Sequence, residues 1–190
     1  EDHGIPAYEL MCRAGEAALR ALERRWPDAR SLAILCGAGN NAGDGYVLAR
    51  LASDRGFSVR VVAVSPGADL TGAAAKAFAE FVAAAGTVAA FRADAVFHED
   101  LLVDALLGSG IDRELTGVFA DAVAAVNRSS SPVLALDLPT GLHADSGRVM
   151  GDCISADLTI TFVGLKTGLF LGQAADYRGE LLCNELGIAV

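Results

Sequence analysis

Ser31-Leu32-Ala33-Ile34-Leu35-Cys36-Gly37-Ala38-Gly39-Asn40-Asn41-Ala42-Gly43-Asp44-Gly45 is the stretch on which the fold turns. A short apolar run closed by a glycine-rich segment, with a helical pattern after it to about Asp54, reads as strand, turn, helix. Upstream, Leu10, Ala14, Ala17, Ala18, Ala21 and Leu22 recur every three or four residues, one face of a helix from Ala7 to about Trp26 that Pro27 ends. Downstream the alternation continues. Strands are expected at residues 58–64, around 101–106 and at 132–138, with helices at about 71–85 and 117–127, and two more strands at 158–162 and 180–184. Strands that are apolar throughout, each separated by a helix, imply a mostly parallel sheet covered on both faces. The expected architecture is therefore a single α/β domain, a Rossmann-like, doubly wound sheet with helices on both sides.

The chain has 190 residues, enough for one core that needs no staples. It is 53% hydrophobic and 21% charged, which excludes a disordered chain. Fifteen Lys and Arg against 24 Asp and Glu give a net charge of −9, so phosphate backbones and anionic lipid surfaces are repelled. We expect no nucleic-acid and no membrane partner. The mean hydropathy of +0.39 belongs to buried strands, since no apolar run approaches the roughly 18 residues of a membrane span. Cys12, Cys36, Cys153 and Cys183 form no C-x-x-C pair and are read as reduced core thiols. The absence of an initiator Met and of a leader points to a cytoplasmic protein seen as a fragment or trimmed chain.

Ligands of an open α/β sheet bind beyond the carboxyl ends of its strands. Three post-strand segments stand there: residues 37–45; Val103-Asp104-Ala105-Leu106-Leu107-Gly108-Ser109-Gly110; and Leu136-Asp137-Leu138-Pro139-Thr140-Gly141. The first contains a G-x-G-x-x-A match, but the second strand ends in Val64-Ser65-Pro66 without the acidic residue that holds a ribose in dehydrogenases. Asp44 should stand near a helix start, where the macrodipole favours a carboxylate. The loop also reads as a tight turn in which Asn40 and Asn41 tolerate left-handed backbone. Asp104, inside an apolar strand, needs a partner, and Asp137 repeats the situation; each could equally be a cap for its own loop. Asp104, Asp137, the amides of Asn40 and Asn41 and the Thr140 hydroxyl would together form an all-oxygen site for a hard cation. The turn Gly108-Ser109-Gly110 would let backbone amides approach phosphate. His3, His98 and His143 read as surface residues, Ser109 as a turn residue, and Lys166 either as a balance for the carboxylates or a phosphate contact, or as a solvated loop lysine.

These segments resemble the NAD(P)H-hydrate epimerase family, the YjeF N-terminal domain. The family's N-N-G-G-D-G loop corresponds to residues 40–45, with Ala42 for the first Gly; its V-D-A-L-x-G-T-G to residues 103–110, with Ser109 for Thr; and its D-x-P-S-G to residues 137–141, with Thr140 for Ser. The similarity covers nearly the whole chain. It implies a Rossmann-like homodimer that interconverts the R and S forms of hydrated NADH and NADPH (NADHX and NADPHX) at C6 of the nicotinamide ring. It also implies a potassium ion held by Asn41, Asp104 and Thr140. The substrate-binding segments carried over are Asn40, Asn41, Ala42, Gly43 and Asp44, then Gly108, Ser109, Gly110, Ile111, Asp112, Arg113 and Glu114, and then Asp137. Alanine at position 42 would weaken binding if the family's glycine serves a positive φ or touches substrate.

We expect Asp137 to be the catalytic acid–base, an inference from the chemistry of the substrate. Many relatives join this domain to an NAD(P)H-hydrate dehydratase, so this chain is expected to be fused to one or to act with one. Two other readings stand beside this one. The first is a non-catalytic nucleotide- or protein-binding module of the same fold, since the resemblance takes in apolipoprotein-binding relatives. The second is a nicotinamide oxidoreductase, which the missing ribose carboxylate disfavours.

Overall fold

The computed structural model describes residues 4–188. His3 and the last two residues of the chain lie outside them. Helix α1 (Ala7–Arg25) leads into β1 (Ser31–Cys36), α2 (Asn40–Asp54), β2 (Ser58–Ala63), α3 (Gly72–Ala83), β3 (Val88–Ala90) and β4 (Leu101–Ala105). Then come α4 (Gly117–Asn127), β5 (Val133–Leu136), β6 (Leu158–Phe162), α5 (Ala174–Tyr177) and β7 (Glu180–Asn184). The seven strands form one sheet in the order β3-β2-β1-β4-β5-β6-β7, and every neighbouring pair is parallel. The direction of winding reverses between β1 and β4, and that switch point is where the doubly wound architecture opens a crevice.

Alternate residues of each central strand feed two cores. Leu32, Ile34, Leu101, Val103, Leu134 and Ile160 face α1, α2 and α3. Ala33, Leu35, Leu102 and Ala135 face α4 and the Ile154 segment. Strand β4 is buried at all five positions, Asp104 included, which explains its continuous apolar run apart from that one carboxylate. The first helical layer is dense because its contacts use small residues. A Cβ on Gly15 of α1 would stand 2.5 Å from Val47 Cγ1 and 2.8 Å from its Cβ on α2.

Two expectations are corrected here. Helix α2 begins at Asn40, so the glycine-rich run is loop only to Gly39, and neither asparagine is left-handed. Asp44 is the fifth residue of the helix, near its start as expected. Strand β3 was not foreseen, because three residues of Val and Ala carry no periodicity. The cysteines are all free, but only Cys36 and Cys153 are buried; Cys12 is half-buried and Cys183 lies exposed on β7. No helix among the described residues is long and apolar enough to cross a membrane.

The close α1–α2 contact makes a testable demand. Gly15→Ala gains about 1 kcal/mol of helix propensity but overpacks the interface at a cost of about 1–3 kcal/mol. Urea unfolding is expected to show a net loss of stability, and a variant as stable as wild type would contradict the packing account.

Candidate functional site

The carboxyl ends of β1, β4 and β5 meet at the switch point and bound a cleft of about 440 Å³. Asn40, Asn41 and Asp44 enter it from the first two turns of α2, Gly108, Ser109 and Gly110 from the segment after β4, and Asp137 from the turn after β5. Gly39 caps α2 without a side-chain hydrogen bond, so the first-turn amides of the helix stay available at the cleft. Ile111, Asp112, Arg113 and Glu114 line an adjoining cleft of about 200 Å³ that shares Leu107 and Gly110 with the first.

Two of the residues carried over from the family face elsewhere. Ala42 is fully buried in the helical core, and a Cβ on Gly43 would stand 2.9 Å from Ala74 Cα of α3. Both belong to helix packing and do not line the cleft. Neither has a positive φ, so backbone conformation gives no reason for a glycine at position 42.

Asp104 is wholly buried beneath the cleft and finds its partners in the neighbouring loop. The Thr140 amide donates to Oδ2 at 2.7 Å, the Thr140 hydroxyl to Oδ1 at 2.7 Å, and the Leu106 amide to Oδ1 at 3.2 Å. Burial pushes its pKa up to about 6 in spite of these bonds. The Thr140 oxygen in turn accepts from the Leu107 amide at 3.0 Å. Asn41, whose side chain lies next to Gly108, is only 7% exposed, and neither its amide oxygen nor its nitrogen has a hydrogen-bond partner. Leaving such a group unpaired costs about 1–3 kcal/mol. An unpartnered amide oxygen, a hydroxyl with a spare lone pair and a buried carboxylate suit a hard, weakly charged cation. Among the described residues no three His, Cys, Asp or Glu side chains gather as a metal cluster.

Asp137 is held at φ +66° in a three-residue turn closed by the Leu138 amide donating to Leu136 O at 2.8 Å. Left-handed backbone is costly for most L-residues and least so for Asn and Asp. Its Oδ1 accepts from Lys166 Nζ in an ion pair and from the Thr161 hydroxyl at 3.3 Å. Lys166 Nζ also donates to Thr161 Oγ1 and to Phe162 O, each at 2.9 Å. Lys166 is thus a partner of the Asp137 carboxylate and not a solvated loop lysine. Oδ2 of Asp137 faces Gly108, where an added Cβ would stand 3.2 Å away. The sequence reading missed Thr161. Its signal was the alternation Leu158-Thr159-Ile160-Thr161-Phe162, which places two threonines on one side of a strand buried on both. Burial, then the charge of Asp137, raise the Asp44 pKa well above the usual carboxylate range, while Lys166 pulls it the other way. His98 is exposed as expected, but His143 is half-buried and its Nδ1 accepts from the Asp145 and Ser146 amides at 3.3 Å, a turn-building role.

The family model described as YjeF-related protein N-terminus matches residues 7–168. The bifunctional NAD(P)H-hydrate repair enzyme Nnr of Coxiella burnetii is 45% identical over 99% of this chain and 38% of its own length, and that of Escherichia coli is 42% identical over 97% and 36%. The NAD(P)H-hydrate epimerase of Limosilactobacillus fermentum is 36% identical over 96% of this chain and 87% of its own. The chain thus spans little more than a third of the length of the bifunctional relatives. The crystal structure of a yeast protein superposes with a TM-score of 0.74 at 19% identity, covering 90% of this chain and 76% of that one, which bears out the fold.

The raised pKa of Asp44 has a sign that can be checked. Below the unfolded value of about 3.9 the side chain is neutral in both states and costs nothing; as pH climbs through the folded value, the buried group loses stability relative to the unfolded chain. Asp44→Asn removes that loss. Its melting temperature should exceed wild type at pH 8 and converge on it near pH 4; a pH-independent difference would contradict the burial account.

Proposed function

This chain belongs to the YjeF-related protein N-terminal family, and we propose that it interconverts the R and S forms of hydrated NADH and NADPH at C6 of the nicotinamide ring, a metabolite-repair isomerase. The observation that carries this reading is the Asp137 carboxylate, gripped on one oxygen by Lys166 and Thr161 and turned on the other toward the cleft. Loss of the C6 hydroxyl as water leaves an iminium stabilised by the ring nitrogen, and water returning to the opposite face inverts the centre. No redox change occurs. The chemistry needs a positioned proton acceptor, and a half-buried carboxylate with one oxygen fixed and the other free supplies it. The phosphates fit against residues 108–110 and the uncapped start of α2. Gly37 is an unsuitable phosphate turn, because it packs against the Leu106 carbonyl at the end of β4. None of the relatives named above is described as a non-catalytic module, and nothing else favours that alternative.

Asn41, Asp104 and Thr140 fit a potassium ion, which would supply positive charge beside a buried carboxylate and a partner for the orphaned Asn41 amide. Because the longer relatives are bifunctional repair enzymes, we place the chain in sequence with, or fused to, an NAD(P)H-hydrate dehydratase. Free thiols, one of them exposed, are compatible with a cytoplasmic setting. A homodimer is the assembly that the family resemblance implies.

Two measurements test the reading. Asp137→Asn keeps the left-handed turn, since Asn tolerates it, but cannot exchange a proton. Its epimerisation rate should fall by about 10² to 10⁴ with melting temperature and NADHX affinity little changed. Near wild-type turnover would remove Asp137 from the chemistry, whereas loss of stability and affinity together would make it a loop organiser. For the ion, replacing N-methylglucamine by potassium at equal ionic strength should raise the melting temperature by about 2–4 °C for each kcal/mol of linkage. That increment should vanish in Asn41→Leu; an equal increment in both proteins would exclude this site.

A further inference from the structure

Asp44 is an acid placed where a helix interior would not ask for one. It stands in the second turn of α2, between the polar cleft and an apolar pocket of about 220 Å³ walled by Leu10, Met11, Ala14 and Phe162. Among the described residues no hydrogen bond reaches its carboxyl, while Asp137, which lines the same cleft from another element, has one oxygen held by Lys166 and Thr161. The two carboxyls therefore differ in kind: one is paired with an ammonium ion, the other set against apolar walls that favour its neutral form. Asp137 and Lys166 are the charged groups that act on Asp44, from the β5 turn and from the segment after β6.

Resting on the epimerase reading, we propose that Asp44 is the second catalytic acid–base, working on the face of the nicotinamide ring opposite Asp137. An inversion that passes through a planar iminium must lose oxygen on one face and gain it on the other. A carboxyl group fixed on one side of a bound ring handles the proton on that face directly, and a second group on the other side completes the inversion. In one direction neutral Asp44 gives its proton to the C6 hydroxyl; the C–O bond breaks, water leaves with the bonding pair, and the lone pair of the ring nitrogen forms the C=N bond. On the other face water attacks C6, the C=N pair returns to nitrogen, and the Asp137 carboxylate takes the proton released. The enzyme ends with the proton on Asp137 rather than Asp44, ready for the reverse reaction or for re-equilibration through solvent. Atoms, charge and oxidation state balance, and the two epimers are handled by the same pair in exchanged roles.

The arrangement predicts a signature that a merely structural Asp44 would lack. In ¹⁸O water each remaining carboxyl can still expel and restore hydroxyl on its own face, exchanging oxygen without inverting the centre. Single R and S epimers of NADHX are incubated with wild type, Asp44→Asn and Asp137→Asn, and C6 oxygen exchange is followed by mass spectrometry beside epimerisation, affinity and melting temperature. The expected result is epimerisation reduced by about 10² to 10⁴ in each variant, affinity and folding retained, and ¹⁸O entering one epimer in Asp44→Asn and the other in Asp137→Asn. Asp44→Asn that epimerises within about tenfold of wild type, well inside the range of acid–base effects, would overturn the proposal. So would loss of affinity in step with rate, or exchange into the same epimer or into neither in both variants. A wild-type chain that interconverts nothing would instead overturn the epimerase reading itself.

Discussion

The Asp104–Thr140 pair is the constraint from which the site is built. A carboxylate at the fourth position of a fully buried strand would be untenable alone. Here it takes the amide and hydroxyl of Thr140, and Thr140 in turn takes the Leu107 amide. Three bonds thereby tie the end of β4 and the segment after it to the segment after β5. With those two loops joined, the turn that presents Asp137 and the Gly108 segment beneath it cannot move independently. The cleft floor is held by these polar bonds inside the sheet layer together with an apolar cluster beyond β5 in which Leu138, Leu142 and Leu169 are fully buried.

Above that floor the molecule tolerates several local costs. Asp137 is left-handed, Asn41 is buried with both amide ends unpaired, and Asp44 is a desolvated acid. All three border one cleft, and strain that collects in one place is a feature of functional sites. At the far end of the sheet the pattern is ordinary: Asp100 accepts from the Arg30 and Ser31 amides, each at 2.9 Å.

Much of this was legible in the sequence. The apolar runs of β1, β4, β5 and β6 fixed the parallel sheet, because burial on both faces leaves a continuous signature. Asp104 and Asp137 stood out since a carboxylate in such a run demands a reason. The start of α2 was misread, because glycines and asparagines are poor helix formers; tertiary packing of Ala42, Gly43 and Gly45 against neighbouring elements overrides that propensity. The Lys166–Thr161–Asp137 contact joins residues 29 positions apart at most through the turn after β6, and pattern alone carries no information on such a closure. Nor does sequence report that burial raises the pKa of Asp44, since its surroundings are assembled from α1, α2, α3 and β6.

The positive φ of Asp137 narrows what evolution could have written at that codon. Backbone geometry there admits glycine, asparagine and aspartate at low cost and penalises the rest. The proposed acid–base role excludes glycine and asparagine. Glutamate keeps the carboxyl but lacks the short side chain that makes the left-handed turn cheap. One residue type satisfies both demands, so drift at this position has no conservative neighbour to pass through, and the turn guards the identity of the side chain as strictly as the chemistry does.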